Sequence, residues 1–165
     1  MKLIFLDVDG VLNSIETRDK APSGVIGIED SKVALLKQLV DKTGAKVVLT
    51  STWKTDYYPD APVEDMPSDG RYLVKKLQAH GVHLFSRTED VTWSKRGRGI
   101  LDFIKKFSDV VESFVILDDE RFDFESEGIA DKHVKTFYTK RTPETLLGLQ
   151  ENHVEKAVSI LNASK

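Results

Sequence analysis

The sequence predicts an α/β fold, a Rossmann-like three-layer sandwich in which helices cover both faces of a central parallel sheet of about five strands. Two observations predict it. Short, continuously apolar runs, as expected of strands buried on both faces of a parallel sheet, alternate along the chain with segments of helical periodicity. The 165 residues, 40% of them hydrophobic, can bury one sizeable core, so we expect residues 1–165 to form a single domain.

Three strands and two helices are predicted in the first half of the chain. The strands are 2–8 (KLIFLDV), 45–51 (AKVVLTS) and 82–86 (VHLFS), and the helices are 29–44 and 68–81. Asp30 or Ser31 suits the start of the first helix. Gly44 and Gly81 suit the ends of the two helices, because glycine readily adopts the left-handed conformation that closes a helix. Each helix therefore connects two strands in a right-handed β-α-β unit.

The second half of the chain continues this alternation. The strands are 113–119 (SFVILDD) and 133–139 (HVKTFYT), and the helices are 95–107 and 142–161. Apolar residues from Ile100 to Phe107 recur at helical spacing and give the helix at 95–107 one buried face. Thr142 is the expected N-cap of the last helix, with Pro143 in its first turn. The whole pattern is typical of an open parallel sheet covered on both faces.

Composition and charge exclude several classes of function. The net charge of −3 gives no overall bias towards nucleic acids or acidic membranes. The absence of cysteine excludes disulfides, thiolate catalysis and cysteine-ligated zinc. No segment approaches the roughly 18 apolar residues of a membrane span. We therefore expect a cytoplasmic protein with no membrane partner, and the sequence indicates no obligate protein partner.

Polar side chains lie at the carboxyl ends of three of the predicted strands. These carboxylates and hydroxyls are Asp7 and Asp9, Thr50 and Ser51, and Asp118 and Asp119. Ligands of open α/β sheets bind at the carboxyl ends of the strands. Because the first strand is normally central in such a sheet, the three groups are expected to meet at one edge.

The residue types at this edge suit a metal ion and a phosphoryl group. Gathered carboxylates repel one another unless a proton or a cation intervenes. Oxygen-only ligands suit a hard cation, and Mg²⁺ binds through one or two carboxylates together with a substrate phosphate. Lys95, Arg96 and Arg98 add positive charge at the start of a helix, where anions bind readily. Any of these three basic residues is a candidate for contact with the phosphate.

Four segments, taken in order, resemble the motifs of the haloacid dehalogenase-like (HAD) superfamily of phosphatases. They are LDVDGVLN, VVLTS, SKRGRG and VILDDERFD, and they span about two thirds of the chain. VVLTSTWK and the lack of a large inserted domain are similar, more narrowly, to the small bacterial and phage HAD proteins grouped with RNA-repair HAD domains. The resemblance implies a HAD-like fold with a minimal cap or none.

The resemblance also implies roles for individual residues. Asp7 would be the nucleophile and form an aspartyl-phosphate. Asp9 would protonate the leaving oxygen and then deprotonate the hydrolytic water. Thr50, helped by Ser51, would donate hydrogen bonds to the phosphoryl oxygens. Lys95 would neutralise charge on the nucleophile and the phosphate.

A Mg²⁺ site is implied in the same way. Asp7, the backbone carbonyl of Asp9 and a carboxylate of the DD pair would hold the ion. Alignment of LDD with the family's GD makes Asp119 the expected ligand, while the choice between Asp118 and Asp119 stays open. Asp123 would support the ligands from outside the coordination sphere.

The predicted loops bear on the substrate. The segments 10–28 and 55–70 are too short for a cap domain with its own core. Open HAD sites, by resemblance, act on bulky substrates such as nucleic-acid ends. A nucleotide or polynucleotide phosphate end is therefore the favoured substrate of a Mg²⁺-dependent phosphomonoesterase. A small-metabolite phosphatase and a non-catalytic Mg²⁺-binding interaction module are the alternatives.

Three residues after the second motif are further candidates. Trp53 is interpreted as a packing residue in preference to a base-stacking platform. Tyr57 could stack on a base and Lys54 could contact a phosphate, although a solvated loop is the more ordinary interpretation of such residues.

Overall fold

The computed structural model of the chain describes residues 1–89 and 92–163, and strands alternate with α-helices except between the last two strands, which turns and a short 3₁₀ turn connect. The strands are β1 (Lys2–Leu6), β2 (Lys46–Leu49), β3 (Leu84–Arg87), β4 (Ser113–Asp118) and β5 (His133–Lys135). The α-helices are α1 (Asp30–Thr43), α2 (Ser68–Gln78), α3 (Arg96–Lys106) and α4 (Glu151–Asn162). The prediction of a single domain over residues 1–165 stays a prediction.

All five strands lie in one parallel sheet with the order β3-β2-β1-β4-β5. The strand β1 is central, and its Phe5 lies opposite Val48 of β2 and Ile116 of β4. All three side chains are fully buried. A strand with neighbours on both sides and helices on both faces needs apolar residues at every position, which explains the unbroken run at the start of the sequence.

The two faces of the sheet carry separate hydrophobic cores. Successive side chains of β1 alternate between them, so Ile4 and Leu6 pack with α1, α2 and α4, while Leu3 and Phe5 pack with α3. The ring of Phe5 meets that of Phe103 edge to face, with 5.8 Å between their centroids. The predicted three-layer α/β architecture with a five-stranded parallel sheet is thereby confirmed.

The last helix begins later than predicted. Residues 142–150 form turns, with Thr142 and Pro143 exposed, and α4 starts only at Glu151. Gly148 has a φ of 70°, and its N–H donates to the carbonyl of Phe137. The next N–H, of Leu149, donates to the carbonyl of Val11. The first bond holds the segment against the chain after β5 and the second holds it against the loop after β1, so the Thr142 cap was wrong.

The connections after β1 and β2 contain no inserted domain. Residues 7–29 form turns with one isolated antiparallel bridge between Lys20 and Ile26. Residues 50–67 contain two short 3₁₀ turns, Thr52–Asp56 and Val63–Asp65. The expectation of a minimal cap is confirmed. Within the described ranges, no helix combines the length and the apolar character that crossing a membrane requires.

Candidate active site

The carboxyl ends of β1 and β4 bring three aspartates together. Asp7, Asp118 and Asp119 each offer a carboxylate oxygen, and these oxygens all lie within 4.8 Å of one another. Asp7 is 5% exposed and Asp118 is fully buried. The N–H of Asp7 donates to the carbonyl of Leu117 at 3.0 Å, so the pairing of the central strands continues to the first aspartate. Parallel pairing of β1 with β4 is thus what joins the first and fourth motifs.

The guanidinium of Arg96 contacts two of these carboxylates. Its Nη1 lies 2.6 Å from Oδ2 of Asp118 and 3.2 Å from Oδ1 of Asp7. The residue is 5% exposed, and its guanidinium carbon lies 4.3 Å from the centroid of the Phe122 ring. The Coulomb attraction between groups this well buried is larger than that of a surface ion pair, and loss of one partner would leave an uncompensated buried charge. Arg96 therefore offsets part of the negative charge of the cluster.

The basic residue at the cluster differs from the primary prediction. The helix α3 begins at Arg96, one residue later than expected, and Arg96 shares a buried face with Gly97 and Ile100. Lys95 precedes the helix, ends a short 3₁₀ turn and is exposed. Arg98 is exposed and pairs with Glu127 at 3.3 Å. Arg96, one of the alternatives, thus occupies the place at the cluster that was expected of Lys95, and the role of either residue in contact with the phosphate stays a prediction.

Asp123 fixes the start of α3. Its carboxylate accepts hydrogen bonds from the N–H groups of Gly97, at 2.6 Å, and Arg98, at 3.1 Å. A carboxylate at a helix N-terminus satisfies N–H groups that have no partner within the helix. A Cβ at Gly97 would lie 2.8 Å from the Asp123 carboxylate, so this contact requires glycine. Asp123 thus supports the helix that carries Arg96, and its support of the metal ligands stays a prediction.

Burial and mutual repulsion shift the titration of the three aspartates. Burial raises the pKa of Asp7 well above its ordinary value, and the neighbouring charge of Asp118 raises it further. Burial raises the pKa of Asp118 to about 6, against the opposing effect of Arg96. Burial also raises the pKa of Asp119. One guanidinium therefore does not neutralise the cluster, and an oxygen-only set of ligands with excess negative charge fits Mg²⁺.

Both carboxylate oxygens of Asp9 accept hydrogen bonds. Oδ1 accepts from the Asn13 amide at 2.9 Å, and Oδ2 accepts from the Trp53 indole N–H at 3.2 Å. Asn13 is itself fixed, since its Oδ1 accepts from the N–H of Gly10 at 2.9 Å. Gly10 has a φ of 86°, and a Cβ there would lie 2.5 Å from Cγ of Asp119. Two donors thus orient the residue expected to transfer protons.

Sequence reasoning missed these two donors. Trp53 is buried and its ring lies 6.3 Å from that of Tyr72, in keeping with the packing interpretation, but its N–H also reaches Asp9. A buried indole N–H usually has an acceptor, which is the signal that points to such a contact. Asn13 lies four residues after Asp9 in the loop that follows β1, where asparagine commonly bonds to nearby groups.

The hydroxyls after β2 differ in their partners. The N–H of Thr50 donates to the carbonyl of Leu6 at 2.9 Å, which places Thr50 beside β1. Its Oγ1 is buried, and no group in residues 1–89 or 92–163 is its hydrogen-bond partner. Oγ of Ser51 instead accepts from the N–H of Trp53 at 3.2 Å and caps the following turn. Thr50 is therefore the hydroxyl with a donor to offer to a ligand.

An open pocket of about 320 Å³ gives access to the cluster. Its lining includes the carboxylates of Asp7, Asp9 and Asp119, together with Arg96, Phe122 and Tyr138. Acid, base and aromatic groups thus face one cavity. Two residues considered as substrate contacts are neither near the pocket nor solvated: Tyr57 is buried in the core, and the buried Lys54 amine donates to Oγ1 of Thr88.

A family model described as the HAD domain in Swiss Army Knife RNA repair proteins matches residues 3–154. No curated protein matches the chain. A solved structure from Vibrio cholerae, assigned as a 3-deoxy-D-manno-octulosonate 8-phosphate phosphatase, is similar over 97% of this chain and 82% of that chain, with a TM-score of 0.45 and 15% identity. A likeness at that level carries no implication for function.

Proposed function

We propose, since this chain belongs to the family of HAD domains in Swiss Army Knife RNA repair proteins and is a HAD-superfamily phosphatase, that it is a Mg²⁺-dependent phosphomonoesterase with Asp7 as its nucleophile. The family match confirms the resemblance predicted from the four motifs. The chain is a hydrolase of phosphate monoesters. The favoured substrate is a nucleotide or polynucleotide phosphate end, and the expected location is cytoplasmic.

The observation that carries the proposal is the pair of aspartates lining one pocket in different surroundings. Asp7 contacts Arg96, whereas Asp9 accepts bonds from Asn13 and Trp53. An oxygen of Asp7 would form a bond to phosphorus while the bond to the leaving oxygen breaks, and Asp9 would give that oxygen its proton. Asp9 would then take a proton from the water that cleaves the aspartyl-phosphate.

Two further groups would bind the phosphoryl oxygens. Arg96 keeps positive charge beside the nucleophile, and the buried Oγ1 of Thr50 is a donor of the right kind at the end of the adjacent strand. Donors aimed at developing negative charge act strongly in a site that excludes water. Ser51, whose Oγ accepts a hydrogen bond from the N–H of Trp53, would support the position of Thr50. Lys95 is exposed and would add positive charge outside the pocket.

The acidic cluster would hold Mg²⁺. Asp7, Asp118 and Asp119 offer oxygen ligands only, and burial raises the pKa of each, so a bound divalent cation would help to keep them ionised. The carbonyl of Asp9 remains the fourth proposed ligand. When bound, the ion would offset the negative charge shared by the nucleophile and the phosphate.

A panel of phosphate esters tests the proposed substrate class. The panel comprises p-nitrophenyl phosphate, 5′- and 3′-nucleotides, oligonucleotides with 5′- or 3′-phosphate ends, and sugar phosphates, each assayed with and without Mg²⁺. We expect the highest kcat/KM with a nucleotide or an oligonucleotide end. Preference for a sugar phosphate would support the small-metabolite alternative, and silence across the panel with Mg²⁺ still bound would support the interaction module.

Magnesium binding is expected to stabilise the protein. Relief of repulsion among buried carboxylates and binding to the folded state alone should raise the free energy of unfolding by about 1–3 kcal/mol at saturating Mg²⁺. Calorimetry of the wild type and of Asp119→Asn, with ionic strength matched by NaCl, measures this effect. The variant should lose most of the Mg²⁺-dependent rise in Tm.

The control is Asp109→Asn, which changes an exposed aspartate on the loop after α3 and should keep the full rise in Tm. A wild-type Tm unmoved by Mg²⁺ would contradict the metal site.

Removal of the indole donor should affect proton transfer specifically. Trp53→Phe keeps an aromatic ring in the core but leaves Oδ2 of Asp9 without its donor. A hydrogen bond to a charged group contributes about 1.5–3 kcal/mol, so kcat/KM for esters with poor leaving groups should fall at least about tenfold. Hydrolysis of p-nitrophenyl phosphate, whose leaving group needs no proton in the first step, should change less. Equal losses for both kinds of ester, with a lowered Tm, would show that Trp53 acts through packing alone.

A further inference from the structure

A second concave surface adjoins the active-site pocket on the β5 side of the sheet. This basic cleft, of about 290 Å³, is lined by Arg121, His133, Lys135 and Lys156, with Glu125 as its one acidic residue. Phe122 and Phe124 contribute aromatic surface. The whole chain has a net charge of −3, so three permanent cations around one small cleft are a local concentration of positive charge.

The three cations of the basic cleft are not paired with carboxylates of the described residues. Within the described residues, Arg121, Lys135 and Lys156 form no salt bridge. The amine of Lys135 donates to two backbone carbonyls, those of Asp119 at 2.8 Å and Thr136 at 3.2 Å. Such bonds position the amine without neutralising its charge. All three cations are therefore available to an anion.

The charges also converge on one point. Lys135, Lys156 and Arg121 line this cleft together with His133. These residues come from β5, from α4 and from the loop after β4, so the fold itself assembles the cluster. Like charges gathered at one place cost free energy unless a ligand of opposite sign offsets them. The convergence therefore indicates an anionic ligand.

The basic cleft and the active-site pocket share a boundary. Phe122 lines both cavities, and Lys135 bonds to the backbone of Asp119, whose carboxylate belongs to the acidic cluster. Phe122 has a φ of 40°, the one positive value among the non-glycine residues of the described ranges. Strained backbone conformations of this kind cluster at functional sites. The ring is held between the Arg96 guanidinium and the Phe124 ring, whose centroid is 5.9 Å away.

We propose that the basic cleft binds a second phosphate group of the substrate, on the far side of Phe122 from the phosphate that Asp7 attacks. This inference rests on the proposed phosphatase function and narrows its substrate to molecules with at least two phosphates. Phosphate contacts by lysine and arginine position a nucleic acid strand without reading its sequence. The exposed part of Phe122, between the two sites, suits stacking with a base. The second phosphate belongs to the next nucleotide of a strand or to a nucleoside bisphosphate, and the two sources share the same chemistry.

Binding is measured first, in a background without turnover. Asp7→Asn is titrated against a fluorescently labelled trinucleotide with a terminal phosphate, alone and combined with Arg121→Glu or Lys156→Glu. Both residues are exposed, so folding should be kept, which Tm measurements check. The control is Lys105→Glu, an exposed lysine in the last turn of α3 with the same charge change. We expect each cleft variant to weaken binding about tenfold, and Lys156→Ala to lower the slope of log K against log salt by about one. Unchanged binding in both cleft variants would overturn the proposal.

Turnover then identifies the source of the second phosphate. In the otherwise wild-type chain, Arg121→Glu and Lys156→Glu should lower kcat/KM about tenfold for substrates with two phosphates and leave p-nitrophenyl phosphate unchanged. An equal loss with a nucleoside 3′,5′-bisphosphate and with the trinucleotide supports a subsite for any second phosphate. A loss confined to the trinucleotide supports a strand. Equal losses for every ester would overturn the proposal. If no ester is hydrolysed while cleft-dependent binding persists, the phosphatase function fails and the basic cleft stands.

Discussion

Asp7→Asn is expected to reduce phosphate release from every ester by at least about a thousandfold, because the variant lacks the oxygen nucleophile that accepts the phosphoryl group. Asparagine has nearly the same shape as aspartate, and Arg96 keeps its 2.6 Å contact with Asp118. Removal of one charge from a crowded acidic cluster should leave the free energy of unfolding unchanged or raise it. Loss of activity without loss of stability is therefore the expected signature, measured by steady-state kinetics and denaturant unfolding.

Asp109→Asn is the matched control for this substitution. It makes the same chemical change at an exposed position outside the site and should leave kcat/KM as it is. Substantial activity in Asp7→Asn, with a folded protein, would mean that water attacks phosphorus directly and that Asp7 is not the nucleophile.

Arg96→Met should produce the second large effect, on stability as well as activity. The substitution leaves two buried carboxylates without their cation, and such a loss costs about 3–5 kcal/mol in the free energy of unfolding. Arg96→Lys keeps the charge but loses the planar fork, so its cost should be smaller. Denaturant unfolding in the absence of Mg²⁺ measures both.

Substitutions at two neighbours of Arg96 are the controls, because they show whether the effect depends on the position of the cation. Arg98→Met removes an exposed cation paired with Glu127 and should change stability by no more than about 1 kcal/mol. Lys95→Met removes the exposed residue first expected in this role and should retain most of the activity. A larger loss of activity in Lys95→Met than in Arg96→Met would restore Lys95 as the basic residue of the site.

The sequence predicted the position of a residue correctly where that position depends on a strand and its nearest neighbour in the sheet. The strand β1 is apolar at each buried position and runs directly into Asp7, so local pattern alone located the first motif. Parallel pairing then fixed where Asp118 and Asp119 would lie, because the carboxyl ends of adjacent parallel strands meet at one edge.

The features that were predicted wrongly, or not predicted at all, depend on contacts between residues distant in sequence. The helix α3 begins at Arg96 because Asp123, 26 residues after Gly97, caps it, and no local signal distinguishes Lys95 from Arg96 without that contact. The bond from Trp53 to Asp9 joins residues 44 positions apart. Such contacts depend on the packing of loops over the sheet edge, which periodicity does not encode.

The last helix was predicted too early for a related reason. Thr142 and Pro143 are a strong local start signal, yet the N–H groups of Gly148 and Leu149 find partners in loops from other parts of the chain. Tertiary hydrogen bonds overrode local propensity. The helix begins instead at Glu151, where the Gln150 N–H donates to Nδ1 of His153 at 3.0 Å.

The most direct test of covalent catalysis by Asp7 is acid quench of Asp9→Asn after mixing with p-nitrophenyl phosphate and Mg²⁺, followed by mass spectrometry of the peptide containing Asp7. The nitrophenolate leaves without a proton, whereas hydrolysis of the intermediate lacks its base, so the phosphoryl group should accumulate on Asp7 with a burst of nitrophenolate. A peptide heavier by one phosphoryl group, absent from the Asp7→Asn/Asp9→Asn double variant, is the predicted result. Release of nitrophenolate with Asp7 unmodified would contradict it.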